Sequence, residues 1–199
     1  LIHPFSRHPS YRAIVDLPLG QRVARMLEPG FRERLLSETP QFEDGDDRVR
    51  RRFEQMYREA DHIFMAGDRV DYEPASASSV KAIAEREGRS LDAVFFDALT
   101  ANGGRQFLYF PIANFKDGSL DEQHAILSLP NSLFSFGDAG AHLAQICDAA
   151  YSTFALTHWA RDRAIGLPLE QVVRKMSGAQ ADIFGFSGRG YIRPGAVAD

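Results

Sequence analysis

A single cysteine, Cys147, stands among 199 residues, so no internal disulfide can form and packing alone must hold the fold. That usage leads us to expect a cytoplasmic protein. No apolar run approaches the roughly 18 residues of a membrane helix, and no basic stretch followed by an apolar core opens the chain, so neither a span nor a leader is expected. Positive charge is not in excess: 23 Lys plus Arg face 27 Asp plus Glu, a formal net charge of -4. A chain so charged has no global field for nucleic acid or anionic membrane, and neither is expected as a partner. Several chemical motifs are missing too. There is no His-x-His, no His-Glu-x-x-His, no paired Cys-x-x-Cys, no Walker A loop and no dinucleotide glycine fingerprint. Gly185 to Gly190 misses the Gly-x-Ser-x-Gly elbow by one residue and follows a helical pattern, which weakens a serine hydrolase reading.

What is present is an ordinary globular composition, 44% hydrophobic and 25% charged. A chain of this length buries roughly 70% of its unfolded surface, enough for a core without staples. Leu1 to His8 reads as a loop leaving a strand. Apolar spacing then predicts helices over Leu19 to Leu27 and Phe31 to Leu36, split by Pro29-Gly30. Ser78 or Ser79 can cap a helix ended by Gly88, and Ser90 can cap the next, which places Leu91, Val94, Phe95 and Leu99 on one face. Gln106 to Ile112 and Asn131 to Phe136 read as short buried strands, with a helix from Ser119 to Leu129 between them. Further helices are expected from about Leu143 to Asp162 and from Pro168 to Phe184. The alternation of helix and strand in the second half predicts α/β architecture with parallel strands.

In such a fold the reactive groups gather at the C-terminal ends of strands. Asp138 falls there, after Leu133-Phe134-Ser135-Phe136, between Gly137 and Gly140 and four residues before His142. Small neighbours let a ligand approach the backbone, so the Asp138 carboxylate can bind a metal or take a proton; it can equally cap the helix that follows. His142 reads as a ligand or substrate contact, or as a half-buried histidine at a helix start. Cys147, between Ile146 and Asp148, reads as a small buried hydrophobe rather than a nucleophile. Trp159 with His158, Arg161 and Asp162 reads as a core tryptophan beside a surface ion pair. The run Arg48-Val49-Arg50-Arg51-Arg52 is either a solvated helix face or a clamp for phosphate or carboxylate.

Ser135-Phe136-Gly137-Asp138-Ala139-Gly140-Ala141-His142, continued through Ile146 to Phe154 and Leu156 to Asp162, resembles the D-aminoacylase-like branch of the amidohydrolase superfamily. His3-Pro4-Phe5, Pro9-Ser10-Tyr11-Arg12, Asp71-Tyr72-Glu73-Pro74, Pro168-Leu169-Glu170, Val172 to Lys175 and the stretch from Gly188 to Asp199 extend the resemblance over nearly the whole chain. It implies the C-terminal part of a longer enzyme, whose members usually exceed twice this length. The implied fold is a metal-dependent (β/α)8 barrel with an inserted helical segment and the start of a small β-sandwich. Residues 1–186 would belong to the barrel, with 13–104 a mostly helical insertion and 105–186 the last strands and helices; 187–199 would open the sandwich. The implied activity is metal-dependent hydrolysis of an amide C–N bond, in N-acyl-D-amino acids first of all.

The resemblance places Asp138 after the eighth barrel strand, where it would touch the metal and shuttle the proton from water to leaving amine. The cofactor implied is one or two zinc ions, held mostly by histidines that would precede Leu1. Gly137 and Ala139 stand where the family usually has serine and glycine, so a serine hydroxyl is missing beside the carboxylate. His142, His3, Arg7 and Arg12 are the expected substrate-binding residues, an arginine pairing the substrate carboxylate through its planar fork. The expected partners are a small-molecule amide and the N-terminal part of the same protein, without which the isolated chain is expected to be inactive. Two other readings stand beside it: a non-catalytic interaction module derived from the same fold, and a hydrolase of cyclic amides or ureides.

Overall fold

The computed structural model describes residues 3–67, 70–111, 113–115, 117–134 and 150–197. They fall into two compact units, one over residues 2–119 and the other over 120–199.

The first unit is helical, and its helices begin where the sequence supplies starts. After the one-turn α1 (Pro9–Arg12) come α2 (Leu19–Met26) and α3 (Phe31–Ser37), with Gly30 between them in the left-handed region at φ 77°. The arginine run lies in α4 (Asp47–Arg58), whose Phe53 and Met56 turn inward. Ser79 accepts the Ala82 N–H at 3.1 Å to start α5 (Val80–Glu87), and Ser90 accepts the Ala93 N–H at 3.2 Å to start α6 (Leu91–Thr100). Each bond satisfies one of the amide donors that a helix start leaves open. Gly88 closes α5 with φ 63°, as an αL cap requires.

Two short strands complete this unit. β1 (Phe64–Ala66) pairs antiparallel with β2 (Phe107–Tyr109), Met65 opposite Leu108. The apolar run around the second strand reads as buried, yet Phe107 is 73% exposed, because a two-stranded ribbon leaves one face to water. β1 was not expected at all. The core gathers Phe5, Tyr11, Leu35, Phe53, Val80, Phe95 and Phe96, with aromatic rings meeting edge to face, as Tyr57 does with Phe95 at 5.8 Å.

The second unit holds α7 (Asp121–Ser128), α8 (Tyr151–Phe154), α9 (Leu169–Met176) and α10 (Gly178–Phe184). The α7 helix starts one residue later than a Ser119 cap would set it, with Leu120 as the cap residue and no side-chain cap bond. From α8 the chain continues into a π-helical stretch, Ala155–Asp162, and the Arg163 N–H reaches back to the His158 carbonyl at 3.0 Å. The long helix expected from Pro168 to Phe184 is broken at Ser177, whose φ of -132° and ψ of -85° leave the helical region. No strand forms over residues 131–134. There the backbone acceptors are taken by side chains: the Lys175 ammonium donates to the carbonyls of Leu129 and Ser132, and the Gln180 amide donates to that of Phe134. The core of this unit is small, built on Phe134, Ala155, Trp159, Leu167 and Val172.

Among the described residues the only sheet is this antiparallel ribbon, and no helix is long and apolar enough to cross a membrane.

Candidate functional site

Asp138 and His142, the residues on which the hydrolase reading centres, lie outside the described residues, as does Cys147. The other expected site residues sit on the segment that enters α1 and at the end of α1 itself, and each has a definite environment.

His3 is half-buried with its ring stacked on Tyr11 at a centroid distance of 4.2 Å and nearly parallel. The Phe5 backbone N–H donates to its Nδ1 at 3.1 Å, which assigns the ring proton to Nε2 in the neutral form. Burial lowers its pKa to about 4, with the positive charge of Arg22 and the neighbouring His8 acting in the same direction. At neutral pH His3 is therefore an uncharged donor through Nε2, suited to a carbonyl or carboxylate oxygen. His8, five residues on, is buried between the rings of Phe5 and Phe53, and its Nδ1 has no hydrogen-bond partner among the described residues. Its pKa is also lowered, by burial, although Asp92 and Glu38 oppose the shift.

The two arginines expected to bind a substrate carboxylate are already engaged. Arg7 pairs with Asp46 at 3.0 Å and lies over the Phe42 ring at 5.9 Å. Arg12 points to the surface and pairs with Glu43 at 3.2 Å. The arginine whose charge acts on both His3 and Tyr11 is Arg22 on α2, which donates to the Val15 carbonyl at 3.0 Å. His3, Tyr11 and Arg22 thus form a group with two neutral polar tips and one guanidinium. Sequence reasoning missed Arg22 because it lies a helix away from His3; the stacking of Tyr11 on His3 brings them together.

A separate cleft of about 460 Å³ opens in the same unit, lined by Asp61, His62, Phe64, Lys81, Glu85 and Asp117 among others. His62 Nδ1 stands 3.1 Å from Asp61 Oδ1, and that hydrogen bond holds the Asp61 carboxyl below its ordinary pKa. The rim carries both signs of charge over the Phe64–Phe115 ring pair, which meet edge to face at 6.1 Å. These residues are scattered between positions 61 and 118, with no spacing that a sequence motif would flag. Among the described residues no three His, Cys, Asp or Glu side chains come together as metal ligands.

In the comparison with known proteins, no family model, no curated protein and no solved structure matches the chain.

Proposed function

We propose that the chain is the C-terminal part of a metal-dependent amidohydrolase that cleaves the amide C–N bond of N-acyl-D-amino acids. The observation that carries this reading is the residue pattern around Asp138, Ser135 to His142 continued through Asp162, to which the resemblance attaches. The (β/α)8 barrel and the cytoplasmic setting belong to the same proposal, the latter resting on the lone Cys147.

In this reading Asp138 is both metal ligand and proton carrier. The described residues offer no donor cluster of their own, so zinc would depend on Asp138 and on polypeptide outside this sequence. Zinc, when bound, supplies Lewis-acid polarisation of the amide carbonyl. The Asp138 carboxylate takes a proton from the attacking water and delivers it to the leaving nitrogen, which requires hydrogen-bond reach to both. His142 and His3 orient the substrate, His3 as a neutral donor through Nε2. The sequence offers Arg7 and Arg12 for the substrate carboxylate; with both in ion pairs, Arg22, whose charge acts on Tyr11 and His3, is the better candidate for that anion.

The test is Asp138→Asn in the full-length parent enzyme, assayed on a panel of N-acyl-D-amino acids with metal content measured alongside. Turnover is expected to fall by about 100-fold or more, the scale of losing a positioned acid–base group. Turnover equal to the parent's, or an active parent that contains no metal, would end the proposal.

A further inference from the structure

The arginine run of α4 has no role in the proposed hydrolase. Phe53 and Met56 anchor this helix in the core, which fixes its remaining faces toward water. Arg48, Arg51 and Arg52 stand at i, i+3 and i+4, so they share one face, and all three are exposed. Many arginines elsewhere are paired: Arg7 with Asp46, Arg25 with Glu28, Arg89 with Asp97, Arg163 with Asp121. On α4 itself Arg50 covers the Phe42 ring at 4.8 Å and Arg58 reaches Glu54 at 3.6 Å. Arg48, Arg51 and Arg52 have no carboxylate, hydrogen-bond or ring partner among the described residues. Three adjacent guanidiniums repel one another and cost helix stability, a cost that an anion seated across them removes.

The surroundings define the anion. Asp44 and Asp47 bound the basic face at its N-terminal side and Glu54 and Glu59 at its C-terminal side. Positive charge is thus confined to little more than one helical turn. A nucleic-acid strand, with phosphates at regular intervals, would run from the arginines onto these carboxylates, and the net charge of -4 repels it at longer range. A polypeptide with a short acidic run and basic residues on either side matches the pattern sign for sign. We propose that the Arg48–Arg51–Arg52 face of α4 docks such an acidic segment of a partner protein.

The probe is a short labelled peptide with three glutamates at i, i+3 and i+4 between flanking lysines, titrated against the full chain by fluorescence anisotropy. A scrambled peptide of the same composition and a single-stranded oligonucleotide of equal negative charge serve as comparisons. The patterned peptide is expected to bind best, and to lose about tenfold or more in affinity in the R48Q/R51Q/R52Q variant, the scale of three exposed ion pairs. Binding should weaken with salt, persist largely in R48K/R51K/R52K, and be unchanged in R105Q, an exposed arginine elsewhere. Circular dichroism confirms that each variant keeps its helices. No binding of the patterned peptide at low salt, equal binding of the scrambled peptide, tighter binding of the oligonucleotide, or unchanged affinity in the triple glutamine variant overturns the proposal.

Discussion

Residues 2–119 and 120–199 spend their apolar side chains differently. The first unit closes around Phe5, Leu35, Val80 and Phe95, each fully out of water, with further aromatic rings packed on them. The second closes around five small and large side chains near Trp159 and leaves Ile165, Phe184, Phe186 and Ile192 in solvent, Ile192 completely. Polar ties replace part of the missing core there. Lys175 donates to Leu129 and Ser132, Gln180 to Phe134, Arg163 to Asp121, and His124 Nε2 lies 3.1 Å from the Gly166 carbonyl. The contrast teaches that one unit is stabilised chiefly by desolvated carbon, whereas the other relies on a few hydrogen bonds that cross between its segments. Perturbations that act on buried rings should therefore be felt in the first unit, and perturbations of single donors in the second.

The largest expected effect is on the first unit and comes from acid. His3 titrates near 4 when folded and near 6.5 when unfolded, so below 6.5 the unfolded chain binds the proton more readily. The neutral ring's contribution is complete above pH 6.5 and is lost as pH falls toward 4, to the extent of about 3 kcal/mol at full loss. His8, lowered by burial, acts in the same direction. Urea unfolding followed by circular dichroism should show a falling midpoint between pH 7 and pH 4, and His3→Gln should flatten part of that slope. A midpoint that stays level from pH 7 to pH 4 in the unaltered chain breaks the assignment of His3 as a half-buried ring held neutral.

Next in size is the loss of the Lys175 tie. Its side chain is buried, and Nζ lies 2.8 Å from both the carbonyl and the hydroxyl oxygen of Ser132. Lys175→Met keeps the length of the stem but leaves the Leu129 and Ser132 carbonyls without their donor, at a cost of about 2 kcal/mol. Trp159 is the sole tryptophan and belongs to the second unit, so its fluorescence reads this unit directly. A transition unmoved by Lys175→Met would show that the tie contributes nothing and would erase the distinction between the units.

The same contrast explains what was legible from sequence. Local signals worked: Ser79 and Ser90 cap α5 and α6, Gly88 ends α5, and Pro29-Gly30 separates α2 from α3. Non-local events did not. β1 is three residues long and exists because Phe107 to Tyr109 pairs with it, a partnership no periodicity announces. The apolar run before Phe136 invited a strand, but the carbonyls of Leu129, Ser132 and Phe134 found Lys175 and Gln180 instead of a neighbouring ladder. Ser177 breaks a pattern that reads as one helix because both halves keep the same apolar spacing. At the site, His3 was legible as a residue leaving a loop. Arg22 was not, since it lies on another helix, and the pairing of Arg7 with Asp46, far along the chain, has no local signal either.

The smallest effect concerns the solvent-exposed side chains of the second unit. Phe184 and Phe186 are 66% and 58% exposed, and their rings stack on one another at 6.1 Å without further cover. A folded unit gains little from groups it does not bury, so replacing Phe184, Phe186 and Ile192 together by glutamine should change the Trp159-monitored unfolding by no more than about 0.5 kcal/mol per site. Association should respond instead, because exposed apolar surface drives contact between molecules whatever its role in folding. Light scattering and binding of an apolar dye should both fall in the triple variant at unchanged stability. If stability drops as far as it does in Lys175→Met, these side chains belong to the core of residues 120–199, and the two units differ less than their exposed surfaces indicate.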